Sequence, residues 1–432
     1  MYRRASINNF LVLTILLFFL SLIFIAFGSK ILITPNQFPI EELDGGWSLW
    51  YRDNYYNDVD ISGFDFNKIK KGEIIAISRT MPGTKTIAPT VMFENRLSTI
   101  TVLIDGEEVI SYGQSYLEEG YFVPKKYHLI TIDRGYENHE LKIVFEATEN
   151  NYLGNFSSIK FGSKSDLVRN YFQMHRLSIF VGGFFGMYSC LLLAIATYLF
   201  LNHKKDMSLF YSSAISFLFA IYTYAYSDIF FYISDHEYFF AVLEYVSLYL
   251  MPLSLSMLLY STHPEIATGR QKILLKINIA FPIIFSLLHF SGMAHFNYSV
   301  IPTQVISVVE SIIILPPLII GMQKQHTEKK KSATYTGVDA DIYLLLGFVV
   351  MIVFALLEIG KYYLDTFFKG QLKSISSINF LSIGALYFVI FLFVYYFMNR
   401  IDHTNSIYVK KHLEGLAYTD ALTGLMNRAK CM

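Results

Sequence analysis

Charged residues are scarce in this chain of 432 residues: they make up 16% of it, whereas soluble domains carry about a quarter. Hydrophobic residues reach 53% and aromatic residues 17%. This balance excludes an ordinary soluble protein and predicts a chain that lies largely in a membrane. The formal net charge is +0, without the basic excess that binds polyanions, so we expect no nucleic-acid partner.

Cysteine is nearly absent, with Cys190 in an apolar segment and Cys431 near the C-terminal end. Residues 29–176 contain none, which excludes a small domain stapled by disulfide bonds. No set of His, Cys and Asp residues in that region has the spacing of a metal site. We therefore expect no metal ion there.

Long hydrophobic runs are abundant, and eight of them have the length of about 20 residues that crosses some 30 Å of hydrocarbon. The first lies at about Phe10–Phe27. We interpret residues 1–28 as an uncleaved anchor helix, because Ala26-Phe27-Gly28 is a poor cleavage site; a cleaved signal peptide is the alternative. Seven further spans form a predicted bundle at 177–399, at about Ile179–Leu201, Leu209–Phe231, Phe239–Tyr260, Ile273–Met293, Val300–Met322, Ile342–Tyr363 and Ile375–Met398.

The positions of Lys and Arg orient these spans, because cytosolic loops are enriched in both residues. Clusters alternate along the chain, at residues 3–4, 204–205, 270–272 and 329–331. The loop that carries Lys369 and Lys373 is the exception. We expect a multi-pass protein of the bacterial inner membrane, with both termini in the cytosol and residues 29–176 outside.

The outside region has the sequence pattern of β-strands. From Ser98 to Gly113 apolar and polar residues alternate on either side of Asp105-Gly106, a dipeptide that favours a two-residue hairpin turn. Leu141–Ala147 alternates in the same way, and shorter strands are predicted at 72–78, 126–132 and 158–162. Such spacing indicates an antiparallel β-sandwich, and no segment with helical periodicity interrupts it.

The most specific motif is Asp420-Ala421-Leu422-Thr423-Gly424-Leu425-Met426-Asn427-Arg428, which comes after a polar, helical linker at 400–419. It resembles the D-x-L-T-x-L-x-N-R signature that opens GGDEF domains, the catalytic modules of diguanylate cyclases. The fixed letters are matched by Asp420, Leu422, Thr423, Leu425, Asn427 and Arg428, and Gly424 is a residue that the family tolerates. The alternative is an ordinary helix start capped by Asp420.

The order of the segments strengthens this resemblance. Gly46-Trp47-Ser48-Leu49-Trp50-Tyr51 and the Asp105-Gly106 turn look like parts of the jelly-roll fold of galactose-binding-like domains. Such a domain at 29–176, then seven spans, then a GGDEF start at 420–432, is similar to the bacterial seven-transmembrane receptors with diverse intracellular signalling modules. The expected fold is thus an anchor helix, an extracytoplasmic all-β jelly roll, a seven-helix bundle and a short linker helix.

The resemblance implies a sensor whose full-length relatives condense two GTP into cyclic di-GMP, with magnesium and as a homodimer. The motif at 420–432 would order the start of that domain and is not catalytic. The phosphate-binding turn and metal-binding carboxylates would lie beyond it, so we expect this chain by itself to hold no cofactor and to be inactive. A non-enzymatic receptor or decoy subunit is the alternative. A transporter is disfavoured by the seven-span cluster and the large outside domain.

Aromatic residues near the start of the predicted sandwich are candidate ligand contacts. Trp47, Trp50 and Tyr51 have flat rings that can stack on sugar faces, so a carbohydrate or another small molecule is the expected ligand. The alternative, which we favour for the tryptophans, is that they fill the sandwich core.

Two carboxylates in the predicted spans are the other candidates, because ionisable groups are costly in hydrocarbon. Glu310 lies near the middle of its span, and Glu358 precedes Lys361 by about one helical turn. Each belongs either to a ligand or proton site that opens outward or to a polar contact between helices. Both interpretations stay open for Glu310, and the structural one is favoured for Glu358.

The alternating cations yield a test of the membrane topology. A reporter that works only outside the cytosol should be active when fused after Asp133 and silent when fused after Lys331. Colony assays of the two fusions measure this directly. Activity after Lys331 would overturn the eight-span topology and the cytosolic placement of Asp420.

Overall fold

A computed structural model describes residues 20, 33–61, 64, 69–83, 86–132, 137–150, 158–202, 207–264, 269–331, 339–367 and 379–418. The predicted anchor at 1–28, apart from Leu20, and the motif at 420–432 lie outside the described residues.

The N-terminal region is built from antiparallel strands in two sheets. Its strands are β1 Glu41–Glu42, β2 Trp47–Tyr51, β3 Asn54–Val59, β4 Ile74–Thr80, β5 Pro89–Asn95, β6 Ser98–Ile104, β7 Glu107–Tyr112, β8 Lys126–Thr131, β9 Glu140–Ala147 and β10 Lys160–Ser163. One sheet has the order β1-β10-β5-β8, and the other has the order β3-β2-β4-β9-β6-β7. This arrangement confirms the predicted β-sandwich.

The core of the sandwich reflects the two-residue period of its strands. In β9, Leu141, Ile143 and Phe145 are buried, and the residues between them are partly exposed. Strand β5 differs because it is buried on both faces: Val91 belongs to the core, whereas Glu94 is buried in contacts outside it. A strand covered on both faces shows no alternation, and β5 was therefore not predicted from the sequence.

The hairpin between β6 and β7 confirms the turn predicted at Asp105-Gly106. Asp105 has φ of 50° and Gly106 has φ of 84°, so both central residues adopt the left-handed conformation that a two-residue turn of this kind requires. The Asp105 carboxylate also accepts a hydrogen bond from the backbone N–H of Glu140, at 2.8 Å. The turn is thereby fixed to the neighbouring strand β9.

The helices are α1 Gln114–Glu118, α2 Lys164–Met174, α3 Arg176–Leu201, α4 Ser208–Tyr226, α5 Glu237–Thr262, α6 Gly269–Phe290, α7 Val300–Lys331, α8 Asp341–Phe367 and α9 Phe380–Tyr418. The short helix α1, which was not predicted from the sequence, lies between β7 and β8. With five residues, α1 is too short to show a helical period.

Among the described residues, seven helices (α3 to α9) are long and apolar enough to cross a membrane. They correspond to the predicted cluster of seven spans. Helix α4 ends at Tyr226, earlier than the expected Phe231, because Asp228 adopts a left-handed φ of 52°. The linker expected at 400–419 is no separate helix within the described residues, since α9 continues without a break from the last span to Tyr418.

Small residues allow close packing inside the bundle. A Cβ atom at Gly182 would lie 2.4 Å from the Tyr224 ring, and one at Gly384 would lie 2.5 Å from Cβ of Phe354. These distances leave no room for a side chain, so α3 approaches α4 closely and α9 approaches α8 closely.

The turn geometry predicts how substitutions at Gly106 affect stability. In a fragment covering residues 37–163, replacing Gly106 by Val should lower the free energy of unfolding by about 1 kcal/mol or more, because a β-branched residue resists positive φ. An added Cβ meets no atom within 4 Å there, so the loss would reflect the backbone alone. Urea unfolding monitored by circular dichroism measures it.

The matched control is Gly106→Asn, since Asn tolerates the left-handed conformation better than other non-glycine residues. It should cost clearly less than Gly106→Val. Equal losses for the two variants, or a parent fragment without a β-rich spectrum, would contradict this account of the hairpin.

Candidate functional site at the junction of sandwich and bundle

The sandwich packs on one end of the helical bundle, and charged and aromatic side chains meet there. The sandwich contributes residues 94–97, the segment 120–126 that precedes and begins β8, and Glu149. The bundle contributes the turn after α4, the first turns of α5 and the connection between α6 and α7. We call this region the junction.

Lys125 of the sandwich reaches into the bundle and binds acceptors there. Its Nζ donates to the backbone carbonyl of Tyr226 at 2.8 Å and lies 3.0 Å from Oε2 of Glu244 and 3.5 Å from Oδ1 of Asp228. It also lies 4.9 Å from the centre of the Tyr226 ring. Of these three oxygens, the Tyr226 carbonyl accepts a hydrogen bond, and the two carboxylate oxygens form ion pairs with the ammonium group. These contacts offset part of the cost of removing the ammonium charge from water.

A second ion pair lies beside Lys125. The Glu94 carboxylate, of which 3% is exposed, receives Nε of Arg96 at 2.7 Å and Nη2 of Arg96 at 3.3 Å. Burial alone would raise the pKa of Glu94, but the charges of Arg96 and Lys125 outweigh burial and hold it below its usual value. Lys126 extends the set with its own ion pair to Glu237.

We call Glu94, Arg96, Lys125, Asp228 and Glu244 the Lys125 group, and the charges of these five residues do not balance. Glu94, Asp228 and Glu244 bring three carboxylates, whereas Arg96 and Lys125 bring two cations, so full ionisation leaves one negative charge in excess. Burial raises the pKa of Asp228 to about 7; Lys125 opposes this shift, and the neighbouring carboxylates add to it. Asp228 therefore keeps its proton to a higher pH than an ordinary carboxyl group does.

Glu149 makes another contact across the junction. Its Oε1 lies 2.5 Å from Nδ1 of His295, and its Oε2 accepts the Tyr298 hydroxyl at 2.5 Å. Burial raises the pKa of Glu149, but the hydrogen bonds to His295 and Tyr298 outweigh burial, so the net shift is downward. The ionised form of Glu149 therefore stabilises the contact between the sandwich and the bundle.

An aromatic contact completes the junction. Phe122 of the sandwich is buried against the rings of Tyr238 and His289, each 5.3 Å away between centres, and against Tyr245 at 6.1 Å. Leu97 joins the same cluster. Burial of these apolar side chains stabilises the contact between sandwich and bundle without a preferred direction. The ion pairs fix the relative position of the two regions.

The aromatic candidates from the sequence lie away from the junction. Trp47 is fully buried in the sandwich core, and its indole N–H donates to the Leu43 carbonyl at 2.7 Å. Trp50 lies outside that core, with the Tyr55 ring 5.0 Å away and Nζ of Lys142 5.4 Å away. The hydroxyl of Tyr51 donates to Glu73 at 2.7 Å. The three residues therefore do not form one binding surface.

Glu310 joins three helices inside the bundle. Its Oε1 accepts hydrogen bonds from Ser256 of α5 and from Nδ2 of Asn278 of α6, the latter at 2.8 Å. The Tyr260 hydroxyl is buried without a hydrogen-bond partner among the described residues. A carboxyl group held by neutral donors serves as a polar contact between helices, which is one of the two interpretations left open for Glu310.

Glu358 has a structural environment. Its Oε1 lies 2.7 Å from Nζ of Lys361, as the spacing predicted, and its Oε2 accepts the backbone N–H of Phe380 at 2.8 Å. The second contact places a carboxylate at the N-terminus of α9, where the helix dipole favours negative charge. The hydrogen bond between Glu358 and Phe380 thus joins α8 to α9.

Sequence reasoning missed the junction itself. Lys125 and Tyr226 are 101 positions apart, and Glu149 and His295 are 146 apart. The one available signal was the isolated basic pair Lys125-Lys126 opposite the acidic loop residues Asp228 and Glu237. In the described part of the chain, no three His, Cys, Asp or Glu side chains are placed so that they could hold a metal ion, so the described residues of the junction contain no candidate metal centre.

Comparisons with family models, with curated proteins and with solved structures found no match to this chain.

The excess charge predicts a pH dependence that Asp228→Asn removes. A raised carboxyl pKa favours the folded state at low pH, and this contribution is lost as pH rises from about 4 through 7. Asn carries no charge and tolerates the φ of 52°. At pH 8 the variant should be more stable than the parent by about 1 kcal/mol or more, and at pH 5 the two should be close. Thermal unfolding in detergent measures the difference.

Asp235→Asn, at an exposed position in the same loop region, is the control and should change stability little at either pH. If Asp228→Asn were instead less stable than the parent at pH 8, the ionised Asp228 carboxylate would stabilise the fold through Lys125, and the raised pKa of Asp228 would be contradicted.

Proposed function

We propose that this protein is a bacterial membrane sensor in which the sandwich receives a signal outside and the bundle transmits it to a cytosolic GGDEF-type module. The observation that carries this proposal is helix α9. Its 39 residues form one continuous helix of about 58 Å, roughly twice the thickness of the hydrocarbon layer. Because α9 runs from the bundle to the residues just before the Asp420 motif, a movement of the bundle would move that motif.

A connected series of contacts supports transmission from the junction to α9. Lys125 binds the carbonyl of Tyr226, the last residue of α4. Helix α4 then contacts α9 through Thr223 and Ser382, whose hydroxyl oxygens are 3.1 Å apart, and through Ser212 and Tyr396 at 2.7 Å. Helix α4 thus touches the sandwich at its end and α9 along its length, which is the physical connection that coupling requires.

The sandwich is suited to a sensing role. We propose that it is a jelly roll of the galactose-binding-like kind; its two sheets are antiparallel and its consecutive strands often change sheets. Trp50 and Tyr55, which lie outside the core, are the aromatic residues that a sugar could contact. A ligand bound there would act at the junction through β4 and β9, which continue the same sheet.

The proposed output is cyclic di-GMP. In this scheme two protomers would each hold GTP and magnesium, and attack of each ribose 3′-hydroxyl on the other nucleotide would release two pyrophosphates. Asp420, Thr423, Asn427 and Arg428 would order the start of the domain. Geometry would control the rate, because phosphoryl transfer depends on positioning and charge neutralisation. The location is the inner membrane, with both termini in the cytosol.

A chimera tests this output. A complete GGDEF domain of known activity would be joined in register at Asp420-Ala421-Leu422-Thr423, and cyclic di-GMP would be measured with the protein in membranes. We expect synthesis that depends on helical phase. Inserting two residues after Tyr408 rotates the rest of the helix and the attached domain by about 200° and should change the rate at least several-fold, whereas seven residues restore the phase to within about 20°.

The seven-residue insertion is the matched control, since it lengthens α9 more but rotates it less. A chimera that is inactive in every phase, with a domain active by itself, would leave a receptor without cyclase output. Equal rates in all phases would show that α9 does not control the module.

A further inference from the structure

Lys125 is the residue of the described sandwich whose ammonium group contacts Asp228 and Glu244. The groups that surround this ammonium belong to the bundle. They are the carboxylates of Asp228 and Glu244, the carbonyl of Tyr226 and the Tyr226 ring. These groups are held by the end of α4, the turn after it and α5, so the bundle supplies all the partners of the ammonium group. We call it the ammonium site.

The ammonium site matches a primary amine better than other cations. The Tyr226 carbonyl accepts a hydrogen bond from the nitrogen at 2.8 Å, and two carboxylate oxygens lie 3.0 and 3.5 Å from it as ion-pair partners, which suits a compact cation that carries N–H donors. A quaternary ammonium has no such donors, and a guanidinium spreads its donors over a planar fork. The aromatic ring adds attraction for any cation at this position.

The charge and the exposure of the site favour exchange of its occupant. The site holds two carboxyl groups, those of Asp228 and Glu244, beside the single ammonium group of Lys125. The side chains of Lys125, Asp228 and Glu244 keep 18%, 12% and 16% of their surface exposed. The site is therefore buried enough to strengthen its interactions, and none of the three side chains is fully enclosed.

We propose that the bundle carries a recognition site for a primary ammonium group, that Lys125 fills it as an internal ligand, and that a primary amine from outside competes with Lys125. Displacement of Lys125 would release the end of α4 from the sandwich. The regulatory consequence rests on the proposed function; the binding site does not. The competing ligand is a small primary amine that can reach the outer end of α4.

Chemical rescue of the full chain in detergent tests the site. Lys125→Ala removes Cγ, Cδ, Cε and Nζ, the atoms that n-propylammonium carries. Hydrogen exchange of residues 122–128 and 226–232 should accelerate about tenfold or more in the variant, because a buried pair has lost one partner. Added n-propylammonium should restore slow exchange with saturation, half complete on the order of millimolar for so small a ligand. In the parent protein the same amine should accelerate exchange.

Three controls make the result specific. Lys126→Ala empties a site with the Glu237 carboxylate and should not be rescued to the same degree. Lys125→Met keeps the length of the side chain and blocks the space, so it should fold, exchange faster than the parent and resist rescue. Glu244→Gln combined with Lys125→Ala should abolish rescue, since it removes a carboxylate with little change of shape.

Several results would overturn the proposal. These are no saturable effect of the amine beyond that of sodium chloride, an equal effect of n-propanol, or equal rescue of Lys126→Ala. If Lys125→Ala does not fold, the test is hydrogen exchange of the parent protein with added n-propylammonium. An exchange rate that the amine does not increase overturns the proposal. None of these measurements involves a GGDEF module, so an inactive chimera and an unrescued variant would be separate failures.

Discussion

The removal of the Lys125 charge from water constrains the rest of this structure. An ammonium group between two protein regions is stable only if both regions supply their parts accurately, because losing either partner leaves a buried charge. The sandwich supplies the ammonium, and the bundle supplies Asp228, Glu244 and the Tyr226 carbonyl. The two regions therefore have one favoured relative position, set by these non-covalent contacts.

This constraint makes the polar part of the junction more sensitive to small displacements than the apolar part. The apolar contact of Phe122 would tolerate small shifts, since apolar burial has no direction. The Lys125 group would not, because ion pairs and hydrogen bonds depend on distance and angle. Its excess carboxylate also makes its strength sensitive to protons and to cations. Helix α4 ends near this group and contacts α9, so under the proposed function a local change at the junction would be passed to α9.

Local patterns of the sequence predicted much of the fold. The Asp105-Gly106 turn is determined by two adjacent residues, and each span of the bundle by about 20 consecutive ones, so periodicity and hydropathy found both. Strand β5 was missed because burial on both faces removes the alternation, and α1 because it is too short. The pairing of Glu358 with Lys361 was predictable from helical spacing. The contacts of Lys125 and Glu149 were not, because their partners lie more than a hundred residues away. Trp47 and Trp50 look alike in the sequence, and only their places relative to the core separate them.

The central claim is that the junction and α9 are coupled through α4. It is tested most directly by pulsed electron paramagnetic resonance between spin labels at Met207, at the start of α4, and Tyr408 on α9, in a background without Cys190 and Cys431. Lys125→Met should shift or broaden the distance distribution, whereas Lys164→Met, at an exposed position, should leave it unchanged. Identical distributions in the parent and Lys125→Met would contradict the coupling.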